Sequence, residues 1–104
     1  MNVTVFSMFV GFNGPDERIN EFHSNKAALM NFLHASRLPG FSVCFTTGLY
    51  DGQEEPSAIV TVIAKDDQAE KICRILTRVA GHYKTACRQQ EVWITSRKEN
   101  LTII

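Results

Sequence analysis

The sequence predicts an α+β domain with the element order β-α-β-β-α-β. Three observations carry this expectation. Runs rich in Val, Thr, Ile and Phe recur at strand length, two segments between them repeat apolar residues at helical spacing, and clusters of Gly, Pro, Asn and Asp punctuate the boundaries.

Asn2 to Phe12 is rich in Val, Thr and Phe with no breaker before Gly11, which suits a strand. It ends in Gly11-Phe12-Asn13-Gly14-Pro15-Asp16, a dense run of turn formers. Ser24 is placed to cap a helix in which Leu29, Phe32 and Leu33 share a face, with Ser36 closing it and Pro39-Gly40 stopping it. Phe41, Val43 and Phe45 alternate, so Phe41 to Thr47 reads as the second strand. Gly48 to Pro56, with two glycines, one proline and three acids, reads as a hairpin loop of some length. Ala58 to Ala64 is a short β-branched apolar run, the pattern of a central strand.

Asp67 followed by Glu70 resembles a capping box. Beyond it Ala69, Ile72, Cys73, Leu76, Val79, Ala80 and Tyr83 form one apolar stripe, with Lys71, Arg74 and Arg78 outside it. Glu91 to Thr95 is the last strand. Strand-helix-strand twice over is the split βαβ arrangement. Residues 1–104 are therefore expected to form one ferredoxin-like sandwich, an antiparallel four-stranded sheet with two helices on one face. The other face is left open and partly apolar, which points to an oligomer.

Composition narrows the function. Eleven basic and eleven acidic residues leave no net charge, whereas a nucleic-acid binder shows a basic excess. No apolar run approaches membrane-spanning length, and Met1 to Gly11 lacks the basic start and small-residue cleavage pattern of a signal peptide. Three cysteines, Cys44, Cys73 and Cys87, without a C-x-x-C pair, read as reduced thiols of a cytoplasmic protein, with Cys44 and Cys73 partly in the core. His23, His34 and His82 stand apart from other metal ligands in sequence, so no metal site is expected. Gly11 to Gly14 reads as a turn rather than a phosphate cradle, for want of a lysine partner. A chain this short buries roughly 60–70% of its unfolded surface, which leaves little material for a deep pocket. A ligand site is expected at a loop rim or between subunits.

Two polar groups remain. Tyr50 closes one strand and Glu55 opens the next, so a hairpin would bring a phenol and a carboxylate to one sheet end, able to hold a cation or orient a small ligand. An ordinary acidic turn with an aromatic lid fits the same residues. The second group, Arg88-Gln89-Gln90-Glu91, enters the last strand. The third and fourth strands are expected to start at opposite corners or in different subunits, so the two groups would meet across an interface.

Gly48-Leu49-Tyr50, then Glu55-Pro56-Ser57 before a β-branched strand, then Gln90-Glu91-Val92-Trp93-Ile94 after a long amphipathic helix resemble the phage S-adenosylmethionine lyases, long called hydrolases. The Lys65-Asp66-Asp67-Gln68-Ala69 helix entry fits the same pattern, and the resemblance spans about residues 3 to 100. Small uncharacterised bacterial lipoproteins share a similar layout. The resemblance implies trimers of ferredoxin-like domains with an active site at each subunit interface. It implies cleavage of S-adenosylmethionine to methylthioadenosine and homoserine lactone, which in a host cytoplasm depletes the methyl donor of restriction-modification systems. The family's tyrosine before the loop falls on Tyr50, its glutamate after the loop on Glu55, and its Gln-Glu pair on Gln90 and Glu91. The loop is shorter here, and Glu54 is an equally near carboxylate.

Tyr50 and Glu55 are thus the candidate catalytic residues, and Gln90 and Glu91 the candidate substrate-binding ones. No cofactor or metal is implied, because the substrate carboxylate can itself displace the thioether. The partners expected are S-adenosylmethionine and two further copies of the chain, with neither nucleic acid nor membrane. The alternative is a non-enzymatic ferredoxin-like module that binds a small molecule or a protein. A monooxygenase of the dimeric α+β-barrel kind would need a His or Tyr on the inner sheet face, and the strands carry no His.

Overall fold

The computed structural model describes residues 1–16 and 18–104, and for Tyr50 the backbone alone. The elements follow the expected order: β1 (Asn2–Gly11), α1 (Phe22–Ala35), β2 (Ser42–Tyr50), β3 (Gln53–Lys65), a 3-10 turn (Asp66–Gln68), α2 (Ala69–Ala86) and β4 (Trp93–Asn100). The sheet order is β2-β3-β1-β4, and every neighbouring pair is antiparallel. This is the ferredoxin-like α+β fold.

Alternation along the strands decides which side chains meet the helices. Phe6, Met8 and Val10 of β1 and Ala58, Val60, Val62 and Ala64 of β3 face them. They pack with Leu29 and Leu33 of α1 and with Ile72, Leu76, Val79, Ala80 and Tyr83 of α2. The stripe read from the sequence of the second helix is the face that α2 buries. Each fully buried Leu or Val contributes about 1.5–3 kcal/mol of transfer free energy, so this layer dominates the stability. On the other face one row of cross-strand partners, Cys44, Ile59, Phe9 and Trp93, runs across all four strands.

Five local expectations are corrected. Gly48 to Pro56 is not a long loop: β2 and β3 continue through it as a hairpin, closed by Asp51-Gly52 with φ of 49° and 77°. Two successive positive φ values match the right-handed twist of the flanking strands. Ser24 lies inside α1 and donates to the Glu21 carbonyl (3.0 Å). The Asn20 side chain accepts the first helical N–H, that of Phe22 (3.1 Å). Asp67 is not a cap either. It sits in the 3-10 turn, and Glu70 holds Arg74 one turn on (3.1 Å), while neighbouring Asp66 accepts from Lys98 of β4 (3.3 Å). Of the cysteines, Cys44 is exposed on the open face, Cys73 is half-buried and Cys87 is buried.

The last strand runs from Trp93 to Asn100, not from Glu91 to Thr95. Its polar tail, Ser96-Arg97-Lys98-Glu99, pairs fully with β1. Charged residues suit an edge strand, where they blunt pairing with other chains. Among the described residues, no helix is long and apolar enough to cross a membrane.

Candidate functional site

Both β3 and β4 pair antiparallel with β1, so both begin where β1 ends. Gly11 partners Ser57 and Phe9 partners Trp93. The expectation that the third and fourth strands start at opposite corners or in different subunits is therefore corrected. The start of β3 and the approach to β4 meet within one chain. A cleft of about 430 Å³ opens there, bordered by Glu55, Gln90 and Glu91 together with Asp51, Arg88 and the Phe9–Trp93 pair.

The floor of the cleft is the Gly11–Pro15 segment, and its backbone is fastened from three directions. The Tyr83 hydroxyl of α2 donates to the Gly11 carbonyl, Asn25 of α1 donates to the Phe12 carbonyl (2.8 Å), and Gln89 donates to the Asn13 carbonyl (2.8 Å). The Phe12 N–H donates to the Pro56 carbonyl (3.0 Å), tying the floor to β3. The Phe12 carbonyl is buried, and left unpaired it would carry a desolvation penalty of about 1–3 kcal/mol. These bonds therefore fix the floor, and the turn formers read in the sequence become a rigid ledge.

Two carboxylates rest on this ledge where glycines leave room. A Cβ at Gly11 would stand 1.5 Å from Glu55 Oε1, and a Cβ at Gly14 would stand 1.5 Å from Glu21 Oε2. Glu55 is half-buried, and burial raises its carboxyl above the usual range. Tyr83 beneath it is fully buried, and its phenol is pushed well up by burial first, then by Cys87 and Glu55. It therefore acts as a neutral hydrogen-bond donor. Burial likewise pushes the Cys87 thiol up, so it is not a thiolate nucleophile.

Glu21 forms an ion pair with Arg88. Arg88 has φ of 53°, and Asp51 has φ of 49°. Among the described residues these are the two non-glycine positions with positive φ, and both border the cleft. Asp51 takes this conformation in the hairpin turn, and Arg88 takes it just past the end of α2, where Gln89 N–H donates to the Lys84 carbonyl (3.0 Å).

Glu55 and Glu54 are separated by strand alternation. Glu55 stands opposite Gly48 and borders the cleft, whereas Glu54 stands opposite Leu49 and borders a different hollow, beside Ile19 and Phe22. Tyr50 ends β2 opposite Gln53, and its side chain lies outside the described residues. Gln90 and Glu91 are exposed in the segment before β4. The sequence reading did not single out Asp51, Phe9 or Trp93 for the site, and it named Arg88 only as a member of the second polar group. The Asp51-Gly52 dipeptide was the available signal for the first. The others come together only through strand pairing.

The cleft is electrostatically unbalanced. Asp51, Glu55 and Glu91 face it, and its one guanidinium, Arg88, is already paired with Glu21. Among the described residues no three metal-ligating side chains converge. The carboxylates can pair with, or accept hydrogen bonds from, a cationic group placed in the cleft.

No family model and no curated protein matches the sequence. Among solved structures the chain is similar to a phage SAM lyase in its apo state, with a TM-score of 0.65 and 19% identity over 91% of this chain and 79% of that one. It is also similar to a DUF3240 family protein from Shewanella baltica OS155, with a TM-score of 0.57 and 10% identity over 98% and 97% of the two chains. A third is CPII, a nitrogen regulatory PII-like protein from Thiomonas intermedia K12, bound to ADP, AMP and bicarbonate. There the TM-score is 0.54 and the identity 6%, over 99% and 98%. At these identities the likeness establishes the fold.

Proposed function

We propose that this chain is an S-adenosylmethionine lyase that cleaves S-adenosylmethionine to methylthioadenosine and homoserine lactone, and that a phage uses it against host restriction-modification. The observation that carries the reading is the cleft's uncompensated negative charge beside an aromatic wall, the complement of a cationic, ring-bearing substrate. Structural likeness to a phage SAM lyase supports it.

In this reaction one oxygen of the substrate's own carboxylate attacks its γ-carbon. The carbon–sulfur bond breaks, its electron pair stays on sulfur, and the sulfonium becomes a neutral thioether. The ring that closes is a five-membered lactone, and no proton is transferred. Opposite charges disappear along the path, so the step is favoured by removing water and by holding the substrate folded. A carboxylate placed directly on the sulfonium would stabilise the substrate more than the transition state, because that charge vanishes. A carboxylate on the ammonium, whose charge persists, carries no such penalty. Glu55 and Glu91 accordingly hold the ammonium, Gln90 hydrogen-bonds the ligand, and Tyr50 positions the sulfonium through its ring or hydroxyl, a neutral contact that loses less than a carboxylate's as the charge vanishes.

The test is incubation with S-adenosylmethionine and detection of methylthioadenosine. Glu55→Gln, Glu91→Gln and Tyr50→Phe should each lower kcat/KM about tenfold or more, the scale of losing one charge-assisted contact of 1.5–3 kcal/mol. Absence of product at high enzyme concentration overturns the reading, and binding without turnover would favour a non-enzymatic small-molecule module.

The pH dependence follows from burial. Because the Glu55 pKa is raised, its charge is lost early as pH falls. The acid limb of kcat/KM should therefore lie above the ordinary carboxylate range and disappear in Glu55→Gln. For stability the sign is opposite. The folded state binds this proton more tightly than the unfolded chain, so ionised Glu55 weakens the fold at neutral pH. Glu55→Gln should melt at or above the wild-type temperature at pH 7, with the difference closing as pH falls through the native pKa.

A further inference from the structure

Phe9 and Trp93 are direct cross-strand partners on the sheet face turned away from the helices, and both border the cleft. Trp93 is the chain's one tryptophan, and 58% of its surface is exposed. It stands outside the core between the helices and the sheet. Packing within the chain therefore does not account for a large aromatic at this position. Beside it, the carboxamides of Asn13 and Gln90 border the same cleft, and neither donates or accepts a side-chain hydrogen bond among the described residues. A carboxamide offers one donor and one acceptor group, the pair that matches the edge of an adenine ring.

Glu55 lies on β3 and Trp93 on β4, with β1 between them. The Glu55 carboxylate reaches back over Gly11, two residues along β1 from Phe9, the cross-strand partner of Trp93, so one inter-strand step and two strand residues separate it from the Trp93 position, about 8 Å. A ligand with a flat ring at one end and a cationic chain at the other bridges that span.

Resting on the sulfonium reading above, we infer that the Phe9–Trp93 pair seats the purine of the substrate while the carboxylates take its amino-acid end. The cleft then selects nucleoside sulfoniums over methionine-type sulfoniums that lack a ring. A purine lying on the indole covers its exposed face and changes its emission, and an acidic wall across the cleft holds the opposite end of the molecule.

The single tryptophan makes this directly readable. Wild-type protein is titrated with methylthioadenosine, which has the ring and no charge, and with S-methylmethionine, which has the sulfonium and no ring. Saturable quenching by the first and none by the second is expected. In turnover of S-adenosylmethionine, Trp93→Leu should raise KM about fivefold or more, the effect of losing one stacking aromatic, and Trp93→Phe should restore most of the loss. Absence of quenching by methylthioadenosine overturns the inference, as does a Trp93→Leu enzyme with unchanged KM. The two readings fail separately. Quenching without turnover sinks the lyase and leaves the purine seat standing, whereas turnover indifferent to Trp93→Leu sinks the seat and leaves the lyase standing.

Discussion

At the scale of single residues, Gly11 is where core and cleft touch. Its carbonyl accepts the buried Tyr83 hydroxyl from below, and its missing side chain admits the Glu55 carboxylate from above. Gly11→Ala separates these roles. The new methyl would collide with the end of a flexible side chain, not with backbone, so the carboxylate can swing aside. Stability should change by less than about 1 kcal/mol, the range of substitutions that disturb no packed core, while turnover of S-adenosylmethionine falls as in Glu55→Gln. A thermal melt beside a rate assay checks this, and a large loss of stability with intact turnover would contradict it. The sequence marked Gly11 as a turn former. Which carboxylate overlies it depends on the register between β1 and β3, and one strand's residues do not reveal that. For the same reason Glu54 and Glu55 were indistinguishable until alternation along β3 sent them to opposite faces.

At the scale of elements, the β2–β3 hairpin positions Glu55, and its turn is the vulnerable point. Gly52 has φ of 77°, a conformation that costs an L-residue about 1–2 kcal/mol. Gly52→Ala should therefore destabilise the protein by about 1 kcal/mol in a denaturant titration, whereas Gly40→Ala, with open space around it, should be nearly neutral. Equal effects of the two would argue against the tight turn. Asp-Gly is itself a hairpin signal, yet Gly48 to Pro56 reads as loop because its rungs lack apolar alternation. The physical reason is that helix cover ends before them, so nothing selects for hydrophobic residues there. The helix starts misread at Ser24 and Asp67 have a related cause. Several polar residues near each boundary can cap, yet at the 3-10 turn and α2 no side chain makes a capping bond, and Asp66 accepts from Lys98 of β4 instead.

At the scale of the whole molecule, element order and core were legible because each strand and helix carries its own periodicity. The meeting of Glu55 with Gln90 and Glu91 was not, since it depends on two strands pairing with the same third one. The open face is the remaining question of assembly. Ile63, 54% exposed, sits there opposite Val5, and a face of this kind is a natural contact between copies. We expect the protein to sediment as an oligomer, with a trimer following from the lyase reading. Ile63→Glu should shift it toward monomer while leaving the circular dichroism spectrum unchanged. A wild-type monomer at all concentrations would overturn this expectation.

β3 has 13 residues, which at about 3.4 Å each span about 44 Å, close to the molecule's 48 Å long axis. Its first three residues, Gln53 to Glu55, pair only with β2, beyond the last β1 rung at Ser57 and the Phe12–Pro56 bond next to it. One wall of the cleft is thus a two-stranded arm, outside the cooperative four-stranded block. Its amides should exchange hydrogen through local opening, well before the central strands do. A molecule clasped between that arm and β4 would slow this exchange, so occupancy of the cleft would register as protection in a hairpin tip far from the core.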